Sequence, residues 1–120
     1  MDWKYLFTSI DGRINRAKFW AGTAVLIVAQ IVAHLLDSLL GTQMDLGNGY
    51  PLGVIAVIVS LVCIYATVVM HVKRWHDRGK SGWWELIVFV PVIGSIWMLV
   101  ELGFLPGDRG PNRFGNDPLA

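Results

Sequence analysis

Three long apolar runs, separated by short polar segments, dominate the chain. They occupy residues 19–40, 52–72 and 86–105. Each is close to the roughly 20 residues that an α-helix needs to cross about 30 Å of hydrocarbon. Helices are favoured over strands because a lone spanning segment must satisfy its own backbone hydrogen bonds. The pattern predicts an all-α integral membrane protein, with residues 1–120 forming one membrane domain of three apolar helical segments.

The third run is the least regular, because Pro91 and Gly94 lie near its middle. Proline removes a backbone donor and kinks or breaks a helix. If the run spans the membrane, the tail at residues 106–120 lies outside. If it breaks into two half-helices, it re-enters and returns the tail to the cytoplasm. Run length favours a span, whereas Arg109 and Arg113 favour a cytoplasmic tail, so both topologies stay open.

The lead, residues 1–18, precedes the first apolar run. Its apolar side chains recur at helical spacing: Trp3, Leu6, Phe7, Ile10 and Ile14. This period predicts an amphipathic segment that lies in the membrane interface and is interrupted at Gly12. A lead without regular structure that only delivers positive charge is the alternative. Asn15 is a suitable N-cap for the first membrane helix.

Composition agrees with a membrane protein. The chain is 54% hydrophobic and 16% charged, against about 45–50% and about 25% in soluble domains. A chain this small and this apolar does not have enough polar groups to cover the surface of a water-soluble protein. The net charge of +1 gives no overall attraction to nucleic acid. Cys63 is the only cysteine, which excludes an intramolecular disulfide and a multi-cysteine metal site.

The basic residues are distributed unevenly. Four lie in the lead, four in the loop at residues 73–85, two in the tail and none in the turn at residues 41–51. The positive-inside bias therefore predicts a cytoplasmic N-terminus and 73–85 loop, with the 41–51 turn outside. Amphipathic rings prefer the membrane interface. The aromatic residues predicted at the inner interface are Trp20, Trp75, Trp83 and Trp84.

Small residues recur along one face of the second run. They are Gly53, Ala56, Ser60, Cys63 and Thr67, at steps of three and four. Small side chains let membrane helices approach closely, so we expect this face to pack against another helix of the same chain or of a dimer. A chance pattern is the alternative, because the remaining residues are mostly branched and aliphatic.

The first run carries intramembrane polar residues on one face: Gln30, His34 and Asp37. Ionisable residues in a span usually face protein or water, which raises the hypothesis of a proton- or cation-responsive track. The favoured interpretation is structural, because interhelical polar bonds are common. Asp37 also lies close to the outer end of the run.

The loop at residues 73–85 has the residue types of a hydrolase, since His76 and Asp77 lie near Ser81. Adjacent residues do not normally face each other, and no nucleophile-elbow pattern accompanies them. His71 and His76 are five residues apart, which puts them on different helix faces. We therefore predict no catalytic residue, no metal site and no cofactor.

Anion binding is better supported, because basic and aromatic residues are interleaved beside the membrane. The predicted lipid or partner contacts are Arg13, Arg16, Arg74, His76, Asp77, Arg78, Lys80, Trp83 and Trp84. The alternative is that these charges only set topology and cap helices.

Three polar blocks together resemble a known family. They are GRINRAKFW (12–20), RWHDRGKSGWW (74–84) and PGDRGPNRFGNDP (106–118). In this order they resemble the domain-of-unknown-function 805 family of small bacterial inner-membrane proteins, over nearly the whole chain. The resemblance implies a multi-pass protein of the bacterial plasma (inner) membrane. It transfers no catalytic residue, because the family has no established activity.

These observations predict a non-enzymatic membrane component whose cytoplasmic face binds anionic lipid headgroups or a partner protein. Membrane lipids are the expected partners, together with a second copy or another membrane protein, and no nucleic acid. The alternative is an oligomeric transport or channel subunit, since three helices are too few to enclose a pathway and a helix broken at Pro91 resembles those of transporters.

Overall fold

The chain is mostly helical in a computed structural model that describes residues 2–47 and 49–119. Met1, Asn48 and Ala120, which belong to the predicted lead, outer turn and tail, lie outside the described residues. The elements in chain order are α1 (Trp3–Thr8), α2 (Arg16–Leu40), β1 (Gln43–Asp45), β2 (Pro51–Gly53), α3 (Val54–Asp77), a 3₁₀ helix (Gly82–Phe89), α4 (Ile93–Met98) and a π-helix (Leu99–Phe104) that continues α4.

Helices α2 and α3 form an antiparallel pair joined by a two-stranded β-ribbon. They have 25 and 24 residues, and an 18-residue stretch in each has a mean hydropathy of 1.9 and 2.5, respectively, so both are long and apolar enough to cross a membrane. The side-chain oxygen of Asn15 accepts from the backbone N–H of Lys18 at 2.9 Å, which confirms the predicted N-cap. In the ribbon, β1 and β2 are antiparallel, with Met44 opposite Leu52.

Helix α3 continues five residues beyond the predicted end of its apolar run. Its last five residues include Lys73, Arg74 and Asp77, and all three are buried. A polar helix end of this kind persists because the lead and the tail cover it and bind its charged groups. The boundary predicted from hydropathy alone therefore falls short.

The third apolar run is not one helix. The 3₁₀ helix and α4 are antiparallel arms separated at Val90–Val92, where Ile93 N–H donates to Pro91 O at 2.7 Å. A Cβ added at Gly94 would overlap the carbonyl of Ile87, so glycine lets the two arms pack closely. We call residues 82–104 the apolar hairpin. Within this run the chain therefore folds back on itself.

The apolar core lies where the lead, α2, α3 and the apolar hairpin meet. It consists of Leu6, Ile14, Phe19, Met70, Trp75, Met98 and Leu102. The helix in the lead is shorter than the amphipathic segment predicted up to Gly12: α1 ends at Thr8, and Leu6 and Ile14 are buried in this core. Trp75 is likewise inside this core and not against lipid, because the apolar hairpin covers it.

Candidate functional site

Asp77, the last residue of α3, is the centre of a buried network of charges. Its Oδ1 accepts from Arg13 Nε at 3.0 Å, and its Oδ2 accepts from Arg74 Nη1 at 2.7 Å. Its backbone carbonyl accepts from Asp108 N–H at 2.6 Å. Through its carboxylate and its backbone carbonyl, Asp77 therefore joins the lead, α3 and the tail. We call Arg13, Arg74 and Asp77 the buried charge cluster.

Arg13 binds the tail through its remaining hydrogen-bond donors. Its Nη1 donates to Gly110 O at 2.8 Å and its Nη2 donates to Asp108 O at 2.5 Å. A Cβ added at Gly107 would overlap the carboxylate of Asp77, so the tail approaches this closely only through a glycine. The glycine-rich tail is thus ordered by turns around a guanidinium group.

Arg74 holds the end of the apolar hairpin. Its Nε donates to Leu102 O at 2.6 Å and its Nη2 to Leu105 O at 2.5 Å. Carbonyls at a helix C-terminus have no partner within the helix, and a cationic side chain satisfies them well. Arg74 thereby brings the far end of the third run back to the end of α3.

A second ion-pair group surrounds Glu101. Arg78 Nε lies 2.5 Å from Glu101 Oε2, and Lys80 pairs with the other carboxylate oxygen. Arg78 Nη1 also donates to Pro106 O at 2.5 Å. Glu101 is 5% exposed, so its charge is balanced by these two cations rather than by water.

His76 is used for packing and hydrogen bonding. Its ring stacks on Phe114 with centroids 4.0 Å apart, and its Nδ1 lies 2.9 Å from Gly12 O. Its backbone carbonyl accepts from Asn112 Nδ2 at 2.9 Å. His76 and Asp77 therefore contact different groups on different sides of α3.

The structure places the nine predicted lipid or partner contacts in two environments. Arg13, Arg74 and Asp77 are buried, so the expectation that they lie on a binding surface is corrected: their polar atoms are taken up by internal bonds. The other six are half-buried or exposed: Arg16, His76, Arg78, Lys80, Trp83 and Trp84. Sequence reasoning omitted three exposed cations from this set, namely Lys4, Arg109 and Arg113.

Sequence reasoning also missed three charged residues that form internal bonds outside the buried charge cluster. Glu101 and Glu85 lie in or beside an apolar run, and that position is the one signal that could have marked them as paired groups. Glu85 accepts from Trp75 Nε1 at 3.1 Å and lies 2.8 Å from His71 Nδ1. Nothing in the local sequence indicates the third case, Lys73, which donates to backbone carbonyls of α1.

The intramembrane polar residues join α2 to α3. Gln30 donates to Ala56 O at 3.3 Å and accepts from Ser60 Oγ at 3.1 Å, and His34 Nε2 lies 3.3 Å from Gln30 Nε2. Asp37 is fully buried and accepts from Ile55 N–H at 2.9 Å and from Ala56 N–H at 2.8 Å.

The small residues of α3 lie along the same contact. Ala56 and Gly53 are buried beside α2, and Cys63 Sγ lies 3.9 Å from Leu26 O. Thr67 lines a cleft between the two helices and the apolar hairpin.

The pKa values of Asp117 and Tyr5 are both changed by their surroundings. Backbone N–H groups of Leu119 and Gly110 donate to the Asp117 carboxylate at 2.9 and 2.8 Å, which holds the pKa of Asp117 below its ordinary value. Burial raises the pKa of Tyr5, and the nearby charge of Asp11 adds to the effect.

Comparison with known proteins gives relatives of similar length. The chain is 32% identical to the inner membrane protein YhaH of Escherichia coli K12, over 98% of this chain and 97% of that protein. It is 27% identical to the inner membrane protein YhaI of the same organism, over 93% and 87%. It is 30% identical to the uncharacterized protein YiiR, over 95% and 88%. No solved structure matches the chain.

Two of these relatives are named inner membrane proteins, which supports an inner-membrane localisation for this chain. A family model described as "Protein of unknown function (DUF805)" matches residues 7–116, which include the first two polar blocks and all but the last two residues of the third. The chain therefore belongs to the DUF805 family.

Proposed function

We propose that this protein is a non-enzymatic, multi-pass component of the inner membrane whose cytoplasmic end binds anionic phospholipid headgroups. The observation that carries the proposal is the distribution of charge in the fold. All ten basic residues lie in the lead, the 73–85 loop and the tail, and these segments meet at one end of α2 and α3. Seven of the nine acidic residues accompany them, which leaves a net charge of +3 at that end.

The orientation follows from the same charges. The positive-inside bias places the lead and the 73–85 loop in the cytoplasm. Because the tail is bonded to both, it lies in the cytoplasm too, and the apolar hairpin enters and leaves the membrane from that side. The β-ribbon between α2 and α3 then faces the periplasm.

Ion pairs within the protein determine which basic side chains remain available to bind lipid headgroups. Arg13, Arg74, Arg78 and Lys80 are in ion pairs. Across residues 2–47 and 49–119, the exposed Lys4, Arg16, Arg109 and Arg113 form no ion pair. A basic residue near an anionic leaflet contributes about 1 kcal/mol, so these four supply about 4 kcal/mol before nearby acids are subtracted.

Exposed tryptophans accompany these cations. Trp3, Trp20, Trp83 and Trp84 are all at least 39% exposed. Tryptophan prefers the headgroup level of a bilayer, where one side of its ring is apolar and its N–H is wet. Cations and interfacial rings together favour a lipid surface over a protein partner as the ligand.

Spin-labelled lipids in reconstituted vesicles test the proposal. We expect the protein to associate with phosphatidylglycerol more strongly than with phosphatidylcholine at low salt, and less selectively at high salt. The triple variant Lys4→Gln, Arg109→Gln, Arg113→Gln should lose most of this selectivity. A control that keeps the charge, Lys4→Arg with Arg109→Lys and Arg113→Lys, should retain it. Equal association of both lipids with the wild-type protein would overturn the proposal.

An oligomeric transport or channel subunit is the second candidate, and the apolar hairpin favours it. Broken helices that end within the membrane are typical of transporters. Three apolar segments cannot enclose a pathway, so this function requires several copies. Mass measurement in lipid nanodiscs tests it, and a strictly monomeric protein would exclude it.

A further inference from the structure

A lateral groove runs between α2, α3 and the apolar hairpin. Its volume is about 450 Å³, within the roughly 300–1,000 Å³ of small-molecule sites. Leu26 and Ile27 of α2 form one wall, and Val88 and Met98 of the apolar hairpin form another. The groove is therefore mainly apolar and is bounded by three elements.

The groove continues deeper along the helix pair. A second cleft of about 700 Å³ extends past the tip of the apolar hairpin toward His34. Gln30, Cys63 and Thr67 line both clefts, so the two form one elongated space. Its length follows the helix axes, which is the direction of lipid acyl chains in a bilayer.

Several polar side chains of the groove are already bonded within the protein. Gln30 bonds Ala56 and Ser60 of α3, His71 pairs with Glu85, and Thr23 Oγ1 donates to Phe19 O at 2.8 Å. An occupant therefore meets chiefly aliphatic and aromatic surface. A hydrocarbon chain fits such a surface, whereas an ion or a polar solute would lose its hydration there.

An exposed cation, Arg16, lies one helical turn from the groove. Trp20 lines the groove, and Arg16 precedes it by four residues on the same face of α2. Trp20 is fixed by a hydrogen bond from its Nε1 to Gly103 O at 2.8 Å. Arg16 is exposed and uses Nη1 on Phe104 O at 2.8 Å, which leaves its other donors for a phosphate.

We propose that this groove holds one acyl chain of an anionic phospholipid whose phosphate is bound by Arg16. The inference rests on the proposed function, because it names one site at the anionic-lipid surface. It differs from that surface in requiring a cavity as well as a charge. The site is thus expected to retain a single lipid more tightly than the surrounding lipid shell.

Native mass spectrometry of the detergent-purified protein tests this with added phosphatidylglycerol and phosphatidylcholine. We expect one retained phosphatidylglycerol on the wild-type protein and none on Ser95→Phe, which fills the groove. Ala24→Phe, on an exposed position of α2, is the matched control and should retain the lipid. Arg16→Gln should weaken retention about tenfold, as expected for one charge-assisted hydrogen bond.

Cys63 gives a second readout that needs no substitution. It is the only cysteine and lines both clefts, so its rate of reaction with N-ethylmaleimide reports access to the groove. We expect phosphatidylglycerol to slow this reaction and phosphatidylcholine to have less effect. Equal rates with and without phosphatidylglycerol would overturn the site even if Ser95→Phe fails to fold.

The two proposals fail in different ways. If Ser95→Phe and the wild-type protein retain phosphatidylglycerol equally, the groove is not the site, while spin-label selectivity still decides the surface. If spin-label selectivity is absent but one phosphatidylglycerol remains in the groove and protects Cys63, the general surface is wrong and the single site stands.

Discussion

Arg13 and Asp77 are 64 positions apart in sequence, yet Arg13 Nη2 lies 2.9 Å from Asp77 Oδ1, with both side chains withdrawn from solvent. This contact ties the lead to the end of α3. Because the same guanidinium group binds tail carbonyls, a single residue joins three segments that are distant in the chain. The buried charge cluster is therefore the point at which the lead, the end of α3 and the tail are held together.

We predict that Asp77→Asn strongly destabilises the protein. The variant leaves Arg13 and Arg74 buried without a counter-charge, and removing one partner of a buried ion pair costs about 3–5 kcal/mol. The free energy of unfolding in detergent micelles, followed by tryptophan fluorescence, measures the loss. Asp11→Asn makes the same chemical change at an exposed position and should alter stability little. Similar stabilities of the two variants would show that Asp77 does not close the cluster.

A second carboxylate acts at the opposite end of the helix pair. Asp37 Oδ1 and Oδ2 accept from the backbone N–H groups of Ile55 and Ala56, and Thr42 Oγ1 donates to Asp37 at 2.5 Å. The first N–H groups of α3 thus receive their cap from α2, because Gly53 at the N-cap position has no side chain to provide one.

Asp37→Ala should therefore destabilise the protein by about 1–2 kcal/mol, as expected when a cap is lost. Fraying at the start of α3 should accompany the loss and is measured as faster hydrogen exchange at Ile55 and Ala56. Asp45→Ala, on the exposed β1 strand, is the control. Unchanged exchange at Ile55 and Ala56 would contradict the capping role.

Much of the fold was accessible from sequence because its signals are local. The presence of two long apolar helices, the cap at Asn15 and the break near Pro91 each depend on residues close together in the chain. The direction in which the third run turns is not determined by local sequence. It depends on Arg74 and Arg16 bonding carbonyls of residues 102–105, and no spacing rule connects these positions.

The polar site was harder to predict for a different reason. Charge counts place Arg13, Arg16 and Arg74 near the same interface but do not separate a buried guanidinium from an exposed one. Burial of Arg13 and Arg74 depends on the tail closing over Asp77, which in turn requires glycine at position 107. Only the three-dimensional contacts distinguish these two arginines from Arg16.

The tip of the apolar hairpin is strained. Val92 has φ 64° and ψ −60°, a conformation that a β-branched residue rarely adopts. Val92→Gly should stabilise the protein by about 1 kcal/mol, because strain of this kind is worth about 1–3 kcal/mol and glycine relieves it. Val90→Gly, two residues earlier and at φ −80°, should instead destabilise it. Both are measured as shifts in melting temperature, and a lower value for Val92→Gly would contradict the strain.

Docking of the tail should weaken in acid. The native state holds the pKa of Asp117 below about 3.9, the value of an unperturbed aspartate. A depressed pKa means that the carboxylate form stabilises the docked tail above that value, and that this contribution is lost as pH falls through the native pKa. A carbon-13 titration of the Asp117 carboxyl group gives the pKa directly. A value at or above 3.9 would show that the bonds to Gly110 and Leu119 are absent in solution.

The last prediction concerns the side of the membrane on which the tail lies. With Cys63 replaced by serine, single cysteines at the exposed positions Ile10, Leu46 and Asn116 report on the lead, the outer turn and the tail. A membrane-impermeant maleimide should label only Leu46→Cys in intact spheroplasts and all three after permeabilisation. The reason is that the buried charge cluster holds lead and tail together, so they cannot lie on opposite sides. Labelling of Asn116→Cys in intact cells would mean that the apolar hairpin crosses the membrane and that the cluster does not form there.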